Sequence, residues 1–168
     1  AGLGFVGRHG LLITGLHSSY VFLGEIITNA DIKDNSGGIA PAEHNPPLCE
    51  GCYACTAACP YGLSGGCLSA VTQKKGELSE DEKNMIIKHG SVWGCDICQE
   101  ACPYTAAAGK SGSIYTKIPY FLRSLTPRLT KELVLSMSEE DFVKRAHSWR
   151  GRDTILRNLE IIEESRGR

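Results

Sequence analysis

The run Cys49-Glu50-Gly51-Cys52-Tyr53-Ala54-Cys55-Thr56-Ala57-Ala58-Cys59-Pro60 constrains this chain more than any other stretch. It reads C-x2-C-x2-C-x3-C-P. In that spacing three thiolates two residues apart wrap one [4Fe–4S] cubane, while the fourth, three residues on and followed by Pro, is carried away to another cluster. The geometry predicts a second, incomplete run elsewhere. Cys95-x2-Cys98-x3-Cys102-Pro103 is such a run.

The cysteine arithmetic then closes. Cys49, Cys52 and Cys55 take Cys102 as their fourth ligand, and Cys95 and Cys98 take Cys59 by the mirror-image crossing. A symmetric two-cluster ferredoxin would place its last ligand at position 92, where this chain has Val92. Only Cys67 is left, and it completes the second set. Structural zinc also uses C-x2-C pairs, but two zinc sites show separated pairs rather than a triple followed by C-P. Disulfides require an oxidising compartment, and nothing in the sequence suggests secretion.

With 168 residues, 42% of them hydrophobic, the chain can bury the core of one domain or one and a half. Apolar runs such as Leu11-Leu12-Ile13 and Tyr20-Val21-Phe22-Leu23 are far too short to cross a bilayer. No basic segment precedes an apolar one as in a signal peptide. Metal-binding cysteines without a targeting segment lead us to expect a reducing cytoplasm. The opening Ala1-Gly2-Leu3-Gly4-Phe5, without Met, reads as a start in the middle of a larger protein. Net charge is −1, which excludes a global electrostatic argument for nucleic acid. Residues 117–168 nevertheless hold 11 Lys/Arg against 8 Asp/Glu, and residues 1–116 hold 7 against 11. A mildly basic tail suits a polyanion and suits an ordinary solvated surface equally.

Taken in order, residues 10–14 and 19–28 are rich in aliphatic and aromatic side chains, with Gly15-Leu16-His17-Ser18 as a turn between them. They read as two neighbouring strands of one sheet, buried on both faces. Gly2, Gly4, Gly7, Gly10 and Gly24 permit close backbone approach, to a bulky ligand or simply in tight turns. Residues 29–48 form a polar connector punctuated by Gly and Pro. Short helices are expected from about Thr56 and from Cys67 to Lys74. Ser79-Glu80-Asp81-Glu82 is a capping box that starts a helix to His89, with Met85 and Ile86 facing the core and Gly90 ending it. Residues 106–113 read as a loose segment. The tail is helical: Thr130 to Ser136, then a helix capped at Ser138 and carrying Phe142, Val143 and Ala146. A last helix is expected to be capped by Asp153, with Ile155, Leu159 and Ile162 on one face. Two short helices joined by a turn form one α-hairpin of the repeat kind. No phosphate loop, nucleotide fingerprint or Ser/His/Asp grouping is present. His9, His17, His44, His89 and His147 are scattered and read as surface or core residues rather than ligands.

Several stretches together resemble one family. Gly4-Phe5-Val6-Gly7-Arg8-His9-Gly10 is similar to the G-[WF]-x-G-K-[NH] segment of epoxyqueuosine reductases, and Ser19-Tyr20-Val21-Phe22-Leu23-Gly24-Glu25 to their G-S-W-x-x-L-G-E strand. Cys67-Leu68-Ser69-Ala70-Val71-Thr72 resembles their C-I-S-[YF]-L-T. Trp93-Gly94-Cys95-Asp96-Ile97-Cys98-Gln99-Glu100-Ala101-Cys102-Pro103 resembles Y-G-C-D-x-C-Q-x-x-C-P, the most specific of the matches. Arg150-Gly151 through Leu156-Arg157-Asn158 resembles the R-x-G-x-x-x-x-L-R-N of the tail.

The resemblance implies an α+β architecture in three parts. Residues 1–45 would be the remnant of an α/β corrinoid-binding domain (two strands), 46–116 a ferredoxin-like double [4Fe–4S] module, and 117–168 a helical tail with a HEAT-like pair. It implies electron transfer through both clusters to cobalamin, whose cobalt removes the epoxide oxygen of epoxyqueuosine in tRNA during queuosine biosynthesis. A low-potential donor of the ferredoxin or flavodoxin type and a tRNA are the implied partners. Cys67 is the implied eighth ligand, in agreement with the elimination above. Corrinoid contacts carried over by position are Thr14, Gly24, Ser69 and Lys75.

The sequence also departs from the family pattern. The family's general acid is an Asp upstream of the A-G-L-G segment, so no catalytic residue is assigned. Arg8 stands for the usual Lys, keeping charge but not geometry. The Cys59–Cys67 link is short, and the tail holds one helical pair where many members continue into repeats. A non-enzymatic two-cluster carrier, and a corrinoid reductase of small molecules, remain the alternatives.

Overall fold

The computed structural model describes residues 2–31, 49–123 and 125–167. These residues hold two short strands, β1 (Phe5–Val6) and β2 (Leu12–Ile13), and eight α-helices. The helices are α1 (Ala54–Ala58), α2 (Leu68–Gln73), α3 (Glu80–His89), α4 (Ile97–Glu100), α5 (Pro103–Lys110), α6 (Lys131–Ser136), α7 (Glu139–Val143) and α8 (Arg152–Arg166). Helices with a small antiparallel sheet fit the α+β class. The chain divides into two compact units, one of residues 1–58 and 97–117, the other of 59–96 and 118–168.

In the first unit β1 and β2 run antiparallel, with Phe5 opposite Ile13 and Val6 opposite Leu12. Close approach fixes one glycine here: a Cβ on Gly4 would sit 2.1 Å from the Ile13 carbonyl oxygen. The chain then turns through 15–17 and closes in a bridge between Thr14 and Ser18. Ile13 and Ser18 are each 1% exposed. Three contacts tie this hairpin to α5 and the residues after it. The hydroxyls of Ser18 and Thr105 lie 2.9 Å apart, His17 Nδ1 lies 2.6 Å from the Ser113 carbonyl, and the Phe5 ring meets Tyr104 edge-on. Helix α4 packs on α1 and on α5.

Two expectations are corrected in this unit. Residues 19–28 form no strand, and Phe22 and Ile27 are 100% and 95% exposed. An apolar run becomes a strand only where a neighbour offers paired N–H and C=O groups; β2 takes β1 as its neighbour, and no described segment pairs with 19–28. The expected strand at 10–14 shrinks to Leu12–Ile13, and only Ile13 of the pair is buried. The loose segment expected at 106–113 is mostly helix, because Pro103 sits at the first helical position and Ala106, Ala107 and Ala108 favour the helix strongly. Most of the connector at 29–48 lies outside the described residues.

In the second unit the local signals read from the sequence are met. Ser79 accepts from the Glu82 N–H while Glu82 accepts from the Ser79 N–H, and Gly90 ends α3 in the left-handed region at φ 61°. Thr130 and Ser138 cap α6 and α7. One apolar cluster gathers Leu68, Val71, Leu78, Ile86 and Ile162; another gathers Val134, Phe142, Ile155 and Leu159. Helix α8 serves both, since Ile155, Leu159 and Ile162 lie one turn apart on its buried face. Asp153 is not the cap of α8: Gly151 occupies that position, leaving Asp153 as an acidic residue in the first turn. Ala146 lies beyond the end of α7 and is exposed.

A polar knot crosses this unit. Asn158, fully buried, donates from Nδ2 to the carbonyl oxygens of Thr72 (2.7 Å) and Val92 (2.9 Å). Its Oδ1 accepts two bonds from the Arg157 guanidinium, which also reaches the Lys74 carbonyl at 2.7 Å. Thr72 Oγ1 donates to the Ser69 carbonyl and accepts from the Gly94 N–H at 3.0 Å. The backbone beside Cys67 and the backbone beside Cys95 are thereby fastened to α8.

Candidate metal centre

In the first unit Cys49, Cys52, Cys55 and Cys102 line a single cavity together with Arg8, His9, Ile13, Pro103 and Tyr104. The tight turn that begins this wall closes with the Cys52 N–H on the Cys49 carbonyl, and Gly51 supplies its left-handed residue at φ 70°. Helix α1 then starts at Ala54 and points Cys55 inward, where it is buried. Cys102 arrives from the other end of the sequence as the extended residue just before Pro103 and α5, and it too is buried.

Arg8 locks the cysteine turn to the β1–β2 hairpin. Its Nε donates to the Cys52 carbonyl at 3.0 Å, and its guanidinium lies 4.3 Å above the Tyr53 ring. His9 stands beside it. The Leu11 N–H donates to His9 Nδ1 at 3.2 Å, while Nε2 is buried without a hydrogen-bond partner. Burial holds the His9 pKa below its ordinary value, since a desolvated ring resists charge. A Cβ on Gly7 would lie 2.7 Å from Ile13 Cδ1 and 3.1 Å from His9 Cε1, so the glycine makes room for both walls of the cavity. The close approaches at Gly4 and Gly7 are to the chain itself.

The donor set suits an iron–sulfur cluster. Four thiols and no carboxylate line the cavity, and no cysteine is in a disulfide. Among the described residues no three His, Cys, Asp or Glu side chains converge tightly enough for one metal ion. Thiols spread round a wider space match the corners of a cubane better than the tight shell of structural zinc.

Of the other four cysteines, Cys98 lies in the first unit and Cys59, Cys67 and Cys95 in the second. Cys67 is exposed at the N-cap of α2. Cys95 follows Gly94, whose left-handed φ of 72° and N–H bond to Thr72 set the direction of the chain, and packs against the Leu68–Ile86 cluster. Thr14 spends its hydroxyl within its own turn, donating to the Ser18 carbonyl and accepting from the His17 N–H. Gly24 lies in exposed coil with open space round it. Ser69, on α2, accepts from the Gln73 amide at 2.8 Å, and Lys75 is exposed. Thr14 and Gly24 belong to the first unit, Ser69 and Lys75 to the second.

Sequence reasoning missed Asn158 and His9 as contributors to this architecture. The L-R-N run was visible, but its partners lie up to 86 residues away. His9 was one of five scattered histidines, and only its neighbours in space distinguish it.

Comparison with known proteins agrees with this geometry. A 4Fe-4S binding domain family matches residues 41–64. The epoxyqueuosine reductase of Listeria monocytogenes is 37% identical over 96% of this chain and 42% of its own length. That of Lactococcus garvieae is 35% identical over 95% of this chain and 45% of its own. The chain thus spans less than half the length of the curated relatives it matches. Among solved structures, a selenomethionine-labelled epoxyqueuosine reductase superposes with a TM-score of 0.70 at 28% identity, covering 96% of this chain and 43% of that one. An epoxyqueuosine reductase with an epoxyqueuosine-modified tRNA-Tyr stem loop gives 0.63 at 28%, with the same coverage. No described helix is long and apolar enough to cross a membrane.

Proposed function

The chain belongs to the epoxyqueuosine reductase family, and from that premise we propose that it is the iron–sulfur electron-transfer portion of a cobalamin-dependent reductase converting epoxyqueuosine in tRNA to queuosine. The observation that carries the reading is the apolar cavity walled by Cys49, Cys52, Cys55 and Cys102 within a 4Fe-4S binding domain. When bound, clusters of this type carry single electrons and a corrinoid's cobalt carries the reduction itself.

The protein's share is to hold and shield. Cys49, Cys52, Cys55 and Cys102 would ligate one cluster, with the burial of Cys55 and Cys102 keeping water from its inner side. Cys59, Cys67, Cys95 and Cys98 would ligate a second, a set that rests on their spacing. Thr14, Gly24, Ser69 and Lys75 are the proposed corrinoid contacts. Residues 1–45, 46–116 and 117–168 are the proposed corrinoid remnant, cluster module and tail. The proposed partners are a low-potential ferredoxin or flavodoxin and a tRNA, and the proposed location is the cytoplasm. Support for the tRNA comes from the relative solved with a tRNA stem loop and from the basic charge of residues 117–168.

Anaerobic reconstitution tests the reading. Two cubanes require about eight iron and eight sulfide per chain, and titration with cob(II)alamin should then change the cobalt EPR spectrum. A chain that takes up no iron overturns the reading. Full iron with an unchanged cobalt spectrum removes the corrinoid part and leaves an electron carrier.

A further inference from the structure

His9 presents an unanswered donor to the cysteine cavity. Its Nδ1 accepts the Leu11 N–H at 3.2 Å, so the neutral ring carries its hydrogen on Nε2. That Nε2 is closed off from solvent and has no hydrogen-bond partner. The same ring lines the cavity with Cys49, Cys52, Cys55 and Cys102. Native folds rarely bury a donor unmet, and one that stays unmet calls for an acceptor that belongs in the site. The ring is held where it is: β2 follows directly, and Gly7 lacks the Cβ that would come 3.1 Å from Cε1 and 3.4 Å from Nε2.

We propose that His9 donates an Nε2–H hydrogen bond to sulfur of the cluster ligated by Cys49, Cys52, Cys55 and Cys102, and so raises that cluster's reduction potential. The inference rests on the cluster reading given above. One electron enters the cluster from the external donor and later leaves it, no covalent bond breaks, and the proton stays on Nε2. Thiolate-ligated clusters gain negative charge on reduction, and a donor hydrogen bond favours the more anionic state. Hydrogen bonds to sulfur are among the levers that set such potentials.

The test uses the full chain, reconstituted without oxygen, as wild type, His9→Phe and His9→Gln. Phe keeps a ring but offers no donor, whereas Gln returns an N–H near the position of Nε2. Iron and sulfide are counted first; a wild type that binds none overturns the cluster reading and this inference with it. In a redox titration followed by EPR, His9→Phe should lower the ratio of reduced to oxidised cluster roughly tenfold at the poise that half-reduces wild type, about 59 mV for one electron. His9→Gln should stay near wild type. Identical potentials in all three loaded proteins overturn the proposal.

A second measurement needs no stable variant. In reduced wild type grown on heavy-nitrogen histidine, pulsed EPR should show imidazole nitrogen coupled to a cluster. Absence of that coupling overturns the proposal even if His9→Phe fails to load.

Discussion

Asn158 on α8 donates to the Val92 carbonyl at 2.9 Å across 66 residues of sequence. With its second bond, to Thr72, it satisfies two backbone acceptors beside Cys67 and Cys95 from one side chain. Replacing Asn158 by Ala leaves both carbonyls unmet in a fully buried place, at a cost of about 2–3 kcal/mol. For a chain of this size that lowers the melting temperature by about 5–10 °C. Thermal unfolding followed by circular dichroism checks it; a shift under a degree or two would show that the knot contributes nothing.

Cys102 comes to the cavity from a distant part of the sequence, and Cys102→Ser should therefore strip one cluster while sparing the other. Iron per chain should fall from about eight to about four under the two-cluster reading. Cys67→Ser should do the same by way of the other set. Iron and sulfide analysis decides, and a double variant retaining about four iron would contradict the ligand assignment.

Arg8 joins the hairpin to the cysteine turn through the Cys52 carbonyl and the Tyr53 ring. Since Arg8 is exposed, Arg8→Ala should change global stability by less than about 1 kcal/mol. The local effect should be larger. Iron should leave to a chelator several-fold faster, roughly threefold to tenfold if one charged hydrogen bond is lost from the turn. Arg8→Lys should recover only part of this, because an ammonium cannot both donate from the Nε position and stack. Equal release rates for all three would remove Arg8 from the site.

His147 sets a pH dependence. Its ring lies edge-on to Phe142 and Trp93, and burial, with the nearby Arg145 charge adding to it, holds its pKa below the usual value. The unfolded chain therefore binds a proton that the folded chain refuses. The stabilisation is complete above the unfolded pKa of about 6.5 and is lost as pH falls from there through the depressed folded value. Urea unfolding at about pH 7.5 and about pH 5.5 should show a loss on acidification that is smaller in His147→Phe. An equal loss in both proteins would refute it.

What the sequence made legible was chemistry with a fixed local spacing. Ser79 and Glu82 define a helix start because both partners lie within one turn, and Gly90 marks its end for an equally local reason. The cysteine spacing named its own cluster type. Phe22, Leu23, Ile26 and Ile27 misled because composition signals an apolar run but not whether a partner strand lies beside it. Ala106–Ala108 misled in the opposite sense, since the small residues beside Gly109 look like a linker until Pro103 is seen to nucleate a helix. Asn158 and His9 were out of reach for a third reason. Their roles depend on groups far away in sequence, Thr72 and Val92 for one and the cysteine wall for the other.

The tie between α8 and the backbone at Thr72 and Val92 also limits how the chain can be cut. A fragment ending before α8 would keep Cys67 and Cys95 but would expose the Leu68–Ile86 cluster and strand two carbonyls without a donor. Any excised piece meant to hold those two cysteines in place must therefore run past residue 158.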